Sequence, residues 1–279
     1  VRVESEDVLL DEVTFAVLDV ETTGLAPQLG DRVCEVALLR FRGGGELDRF
    51  HTLVNPQRPI SPGAFAVNGI RDRDLVDAPI FAEVAPRLLS LLEESTLVAH
   101  NAPFDLSFLA VEFQICDLPL TIHHIIDTLA LARRCYGFPS NGLQTVAHCL
   151  GVQTTGYHRA LNDVVTTKMV LERFLADLRQ TGVVTLSGLV AAQGGPLGWR
   201  EPEAITLPPR IEEALESGSP LRLRYLSAAG EETQRVVSPL HVTAYSGHLY
   251  LIAFCHLRNE QRSFRLDRIL DMVWGTEAG

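Results

Sequence analysis

The 279 residues carry 24 Lys+Arg against 35 Asp+Glu, a formal net charge of −11, with 46% hydrophobic and 21% charged residues. This composition supports a packed core and a two-domain prior, and it argues against avid, sequence-independent nucleic-acid binding through bulk positive charge. The longest apolar stretches, such as Leu129–Ala132 and Leu249–Cys255, fall far short of the ~20 residues a membrane helix needs.

The N-terminus is acidic (Glu4, Glu6, Asp7, Asp11, Glu12) and shows no basic-then-apolar leader, so a cytoplasmic protein with no membrane association is expected. The five cysteines, Cys34, Cys116, Cys135, Cys149 and Cys255, are scattered without a CxxC pair. They read as small buried hydrophobes in a reducing compartment.

In chain order, residues 14–21 (TFAVLDVE) are β-branched and apolar and predict a buried strand. Two more strands follow at 32–42 and 46–54, with Gly43, Gly44 and Gly45 as the hairpin turn. Residues 80–93 have helical spacing despite Pro86. A short strand at 96–101 leads into a helix from about Pro103 to Ile115. Residues 121–127 predict a further strand, followed by helices near 128–136 and 142–150. Over 160–179 Val164, Val165, Lys168, Leu171, Phe174, Leu175 and Leu178 line one side of a long amphipathic helix. Three strands followed by alternating helix and strand describe an α/β protein with a mixed sheet, over residues 1–181.

Residues 182–209 are rich in Gly, Pro and small side chains and read as a linker. A second domain over 210–279 opens with a short helix, Arg210–Ser217, and continues as short strands with turns between them. That pattern suggests a small β-barrel or curled sheet. Charge is uneven between the two parts: residues 1–181 hold 15 Lys+Arg and 24 Asp+Glu, net −9, and residues 182–279 hold 9 and 11, net −2. An acidic first domain suits a protein that spends carboxylates on divalent cations, which reverse the local charge.

The first strand ends in Asp19-Val20-Glu21. Residues i and i+2 of a strand share a face, so the two carboxylates project side by side. Holding them there is costly without a cation between them. Asp105 lies where a strand end meets a helix start, and Asp163 opens the long helix with His158 just before it in a Gly156-Tyr157 loop. Alone, Asp105 and Asp163 read as helix-start acids favoured by the dipole, and His158 as a loop histidine.

Together these residues resemble the DEDD family of 3′→5′ exonucleases, to which polymerase proofreading subunits belong. The three signatures stand here as Asp19-Val20-Glu21-Thr22-Thr23-Gly24, then Asn101 to Phe104-Asp105, then His158 with Asp163 five positions later. The family's other branch has a tyrosine four positions before the last aspartate; Arg159 occupies that place, and Tyr157 is out of position to replace it. The histidine branch is therefore the match.

The resemblance implies a ribonuclease-H-like fold with a five-stranded mixed sheet. It also implies two Mg²⁺ or Mn²⁺ ions, oxygen-seeking cations that call for carboxylates rather than thiolates. On it, Asp19 would bridge both ions, Glu21 and Asp163 would complete the first site, and Asp105 would support the second. His158 would be the general base, a role suited to imidazole with its ordinary pKa of ~6.5. Thr22, Leu25, Asn101 and Phe104 would cradle the terminal nucleotide. An aromatic near the site could pack on a base; Phe65 is open between that role and the core, and Phe108 is expected in the core. Asp127-Thr128 is expected to support the site. His123, His124 and His148 are expected to be structural.

Residues 220–274 resemble the WYL domain, a small barrel of the Sm/SH3-like type. The matching pieces are Arg224-Tyr225-Leu226, Arg235 to Leu240, Leu249-Tyr250-Leu251, and Phe264 to Ile269. The namesake tryptophan is replaced by Leu249. The resemblance implies a nucleic-acid or nucleotide ligand, with Arg224, Arg235, Tyr250, Arg258, Arg262, Arg265 and Arg268 as candidates and the last three arginines as a basic patch.

The expected function is thus 3′→5′ exonucleolytic cleavage of single-stranded ends, with DNA favoured over RNA. The rivals are a catalytically silent nucleic-acid- or ligand-binding regulator and an exoribonuclease. No polymerase domain is read in these residues, so proofreading would occur in trans, and a stand-alone repair or turnover nuclease is the preferred setting. A polymerase or other protein partner is not legible in the sequence.

Overall fold

The computed structural model describes residues 7–154, 156, 158–198, 207–227, 230–245 and 248–275. Tyr157, the acidic residues Glu4 and Glu6, and part of the expected linker fall outside them. The chain divides into two compact units: Val1–Thr23 with Arg32–Pro202, and Gly24–Asp31 with Glu203–Gly279.

In the first unit, strands β1 (Phe15–Thr22), β2 (Val33–Arg42), β3 (Gly45–Leu53), β4 (Thr96–Ala99) and β5 (Ile125–Asp127) form one sheet in the order β3-β2-β1-β4-β5. The β1–β2 and β2–β3 pairs are antiparallel, while β1–β4 and β4–β5 are parallel, which gives the expected five-stranded mixed sheet. The helices are α1 (Pro62–Asn68), α2 (Phe81–Leu92), α3 (Ala102–Ile115), α4 (Thr128–Cys135), α5 (Leu143–Cys149), α6 (Ala160–Gln180) and α7 (Leu186–Ala192).

The period-2 alternation of β1 explains how the sheet acquires a core on each face. Phe15 and Val17 pack with Ala37, Leu39 and Phe41 of β2 against α6 residues such as Val164, Leu171 and Phe174. Ala16, Leu18 and Val20 pack on the other face against α2 and α3, through Leu88, Phe108 and Phe113. Continuing the odd positions of β1 past Val17 brings Asp19 and Glu21 onto the α6 face, where the strand changes from apolar to acidic.

Several elements differ from the sequence expectations. The strand expected over 121–127 is confined to Ile125–Asp127, with His123 and His124 exposed ahead of it. Helix α1 was not foreseen: seven residues capped by the Ser61 hydroxyl and closed by Gly69 in the left-handed region carry too few positions to show a periodicity. The described part of the 182–209 stretch contains α7, whose Leu186 and Leu189 join the α6-side core, and Leu9 bridges Thr185. Short apolar helices rich in Gly and Ala look like linker in composition.

In the second unit, α8 (Pro209–Ser217) precedes β6 (Leu221–Leu226), β7 (Glu232–Tyr245), β8 (His248–Cys255), β9 (Glu260–Arg265) and β10 (Ile269–Trp274). They form an all-antiparallel sheet in the order β10-β6-β7-β8-β9. The sheet curls, because Tyr225 of β6 and Phe264 of β9 meet ring to ring at 5.2 Å although two strands separate them. Among the described residues no ladder joins β9 to β10, so the barrel expected from the sequence is not closed: the short helical turn Leu266–Arg268 carries the chain to the opposite edge, where β10 pairs with β6. Among the described residues, no helix is long and apolar enough to cross a membrane.

Candidate functional site

The end of β1 and the start of α6 bring three carboxylates together. One oxygen each from Asp19, Glu21 and Asp163 lies within 4.8 Å of the others. Strand geometry places the first two, and the first turn of α6 supplies the third. The Asp163 carboxylate accepts from the backbone N–H groups of His158 and Arg159, as an acid in a helix first turn does.

Asp105 is set back from this group. It lies in the first turn of α3, is 3% exposed, and accepts the Val20 N–H at 3.1 Å. It is close enough for its charge to act on Asp19.

The electrostatics match such crowding. Burial, then Asp105, Glu21, Asp163 and Glu35, push Asp19 well above the carboxylate range. Burial and the charges of Glu35 and Asp163 raise Glu21 to about 7. Burial raises Asp105 to about 8, against the opposing Val20 N–H, and burial also raises Asp163. Four acids resisting ionisation in one place suit a site whose negative charge is meant to be met by a cation. Carboxylate oxygens are the donors that Mg²⁺ and Mn²⁺ prefer, so the residues fit such ions.

Around this group lies a layer that the sequence reading missed. Glu35 of β2 pairs in register with Glu21, and its side chain is wholly buried. Its carboxylate accepts from Arg159 Nη2 at 2.8 Å and Nε at 3.0 Å, from Ala160 N–H at 3.1 Å, and meets His51 Nε2 at 2.7 Å. Asn68, at the end of α1, hydrogen-bonds Glu21 and donates to the Thr22 carbonyl at 3.3 Å. A single acid in the otherwise apolar stretch Val33–Leu39 was the one available signal for Glu35. Nothing in the sequence singled out Asn68 or His51.

The residues expected to hold the terminal nucleotide are distributed as follows. Thr22 is buried, and Thr23 beside it accepts from the Ser61 N–H through its carbonyl. Asn101 is exposed, has φ 74° in the left-handed region, and gives its N–H to Asp127 Oδ1 at 2.9 Å. The same oxygen caps α4 through the Leu129 N–H. Phe104 is half-buried, 5.1 Å from the fully buried Phe108. Leu25 is exposed, in the segment Gly24–Asp31 that clusters with the second unit. Phe65 is 43% exposed on α1 and therefore outside the core. His158 is exposed with φ 54°. His148 is exposed on α5.

In the second unit four of the candidate arginines are engaged with local partners. Arg224 pairs with Glu232, Arg262 with Glu260, and Arg265 with Asp267 in a two-toothed contact. Arg235 donates to the Gln234 carbonyl. Arg258 is exposed and Arg268 is half-buried. Tyr250 is opposite Arg265 across β8 and β9. Arg262 and Arg265 share β9, whereas Arg224 lies on β6, three places away in the sheet.

The sequence pattern of the Exonuclease family matches residues 16–171, and that of the WYL domain matches residues 208–273. The chain is 38% identical over 188 residues to DNA polymerase III PolC-type of Thermotoga maritima, an alignment covering 67% of this chain and 14% of that one. It is 37% identical over 186 residues to a DNA polymerase III subunit epsilon-like protein of Rhodobacter capsulatus, covering 65% and 26%. The chain therefore spans a minor part of the length of these relatives. Among solved structures, the nuclease domain of 3′hExo, described as a DEDDh family member bound to rAMP, superposes with a TM-score of 0.53 at 18% identity, covering 60% of this chain and 93% of that one. The two share the fold.

Proposed function

Because this chain belongs to the Exonuclease family and carries a C-terminal WYL domain, we propose that it is a divalent-metal-dependent 3′→5′ exonuclease acting on single-stranded ends, DNA in preference to RNA. The observation that carries this reading is the convergence of Asp19, Glu21 and Asp163 at the N-terminus of α6, directly after His158.

Asp19, Glu21 and Asp163 would hold Mg²⁺ or Mn²⁺, with Asp105 supporting from behind β1. Bound there as a pair, the ions would supply Lewis-acid stabilisation of the charge that develops on the phosphate. The chain's own residues do the rest. His158 takes the proton from the attacking water, and its exposure lets that proton pass on to solvent. Thr22, Asn101 and Phe104 orient the terminal nucleotide, and the exposed Phe65 is available to pack on a base. The preference for DNA is supported by relatives named for DNA polymerase III. In the second domain, the pair Tyr250 and Arg265 is the part of the expected patch that adjoins in the sheet. It would contact nucleic acid or a nucleotide.

The test is degradation of 5′-labelled single-stranded DNA and RNA with Mn²⁺ by wild type, Asp19→Ala and His158→Ala. A ladder shortening from the 3′ end, abolished by Asp19→Ala, is expected, and the polymer degraded faster identifies the substrate. If neither polymer is cut with any divalent ion, the protein is a binding scaffold and the exonuclease reading fails.

A further inference from the structure

We infer that Glu35 is a positioning residue for the general base: through Arg159 and the first amide of α6 it fixes the loop that presents His158 to the carboxylates. This rests on the exonuclease reading above. Glu35 is close to Glu21 but is not free to join it as a ligand. Both of its oxygens are taken, by the Arg159 guanidinium, the Ala160 N–H and His51, and its side chain is wholly buried.

The partners it takes all bear on one loop. His158 sits with φ 54°, a conformation that non-glycine residues enter at some cost and hold only where neighbours enforce it. Arg159 follows as the N-cap of α6, yet its own side chain caps nothing. A helix start leaves its first amides without intrahelical partners. Here the acid from a strand 125 residues away in sequence accepts one of them, and the same acid holds the N-cap residue by its guanidinium. His158 is thus one bond from an anchored residue, and Asp163 is one turn beyond it.

Stability alone is a weak reason for an acid at this place. Ala37, Leu39 and Phe41 fill the same face of β2 with apolar side chains. A buried ion pair is often no more stabilising than the apolar residues that could replace it. Glu35 also adds a negative charge beside an already crowded acidic site. Its use lies in placing Arg159 and the residues on either side of it.

The full chain would be assayed with Mn²⁺ on a 5′-labelled single-stranded oligonucleotide, comparing wild type, Glu35→Gln, Arg159→Ala and the double variant. Each variant would also be made in the His158→Ala background. We expect each single variant to lower kcat by about 10- to 100-fold with KM changed by less than about threefold, the size usual for groups that orient catalytic residues. The double variant should be no worse than the poorer single one. In the His158→Ala background the added loss should shrink below about twofold, because a misplaced base cannot matter once the base is gone. Hydrogen exchange over residues 158–163 should speed up in both single variants.

Unchanged kcat in both single variants, or a full loss that persists without His158, would overturn the inference. Should Glu35→Gln fail to fold, Arg159→Ala decides alone, since that side chain is 46% exposed. If the wild type cuts nothing, the exonuclease reading fails separately. Amide protection at Ala160 then still reads the anchor, and its persistence in a Glu35→Ala variant, whose side chain offers no acceptor, would rule the anchor out.

Discussion

Glu21 and Glu35 stand opposite each other across the β1–β2 ladder, and their surroundings drive the two carboxyls in opposite directions. Burial, then the charges of Glu35 and Asp163, lift Glu21 to about 7, although a hydrogen bond from Asn68 and the Arg159 charge pull the other way. Burial also pushes Glu35 upward, but hydrogen bonds from Arg159, His51 and the Ala160 N–H outweigh it and hold this carboxyl below its ordinary value. One acid is left able to accept a cation; the other is already neutralised by the protein.

The raised Glu21 predicts a pH-dependent penalty in the metal-free protein. Its carboxyl ionises near 4.5 in an unfolded chain and near 7 in the folded one. As pH rises through that window the unfolded state gains ionisation energy that the folded state does not, so stability falls and stays reduced above 7. The Glu21→Gln variant lacks this penalty. Urea unfolding in chelator should show its stability relative to wild type increasing by on the order of 3 kcal/mol between pH 4.5 and pH 8. A difference that does not vary with pH would contradict the assignment.

Divalent ions should remove the same penalty. Adding Mn²⁺ at 100 times its dissociation constant stabilises a folded protein by about 2.7 kcal/mol. The melting temperature of the wild type should therefore rise with Mn²⁺ at pH 8, and less at pH 5.5, where protons compete for Glu21, Asp19 and Asp163. Asp19→Ala should abolish the rise. Equal stabilisation of wild type and Asp19→Ala would place the ion elsewhere.

A second buried acid predicts a purely structural effect. Glu112 of α3 is 1% exposed, binds Arg32 through Nε at 2.9 Å and Nη2 at 2.7 Å, and accepts the Val33 N–H at 2.9 Å. Removing one partner of a buried pair leaves the other charge uncompensated, so Glu112→Ala should cost about 3–5 kcal/mol. Equilibrium unfolding measures this, and a loss under about 1 kcal/mol would mean that Arg32 reaches water freely.

Gln193, just beyond α7, completes the outer edge of the sheet. Its Oε1 accepts the Asp127 N–H at 2.9 Å, and its Nε2 donates to the Ile125 carbonyl at 2.8 Å and the Gly195 carbonyl at 3.1 Å. A buried side-chain amide thus takes the place of a neighbouring strand. Gln193→Ala should cost about 1–3 kcal/mol for each group left without a partner and without access to water. Hydrogen exchange at Asp127 should rise with it. An unchanged exchange rate there would mean that water substitutes for the amide.

The sequence by itself determined the parts of this protein that depend on repeats of two or of about four residues. Alternation along 14–21 decided which residues of β1 face each core and that Asp19 and Glu21 share a side, and the spacing over 160–179 decided the buried face of α6. The order of the Asp19, Asp105 and Asp163 motifs was enough to indicate the family, because each motif is contiguous. Contacts between distant residues were decided only by the tertiary structure. Glu35 is 124 positions from Arg159 and Gln193 is 66 from Asp127, and no local periodicity encodes such pairs. The same limit applies to β10, whose partner at the far edge of its sheet depends on where the chain travels after Leu266–Arg268. Burial selects these partners: a polar group removed from water must find a hydrogen-bonding group that the fold brings near, wherever that group lies in the chain.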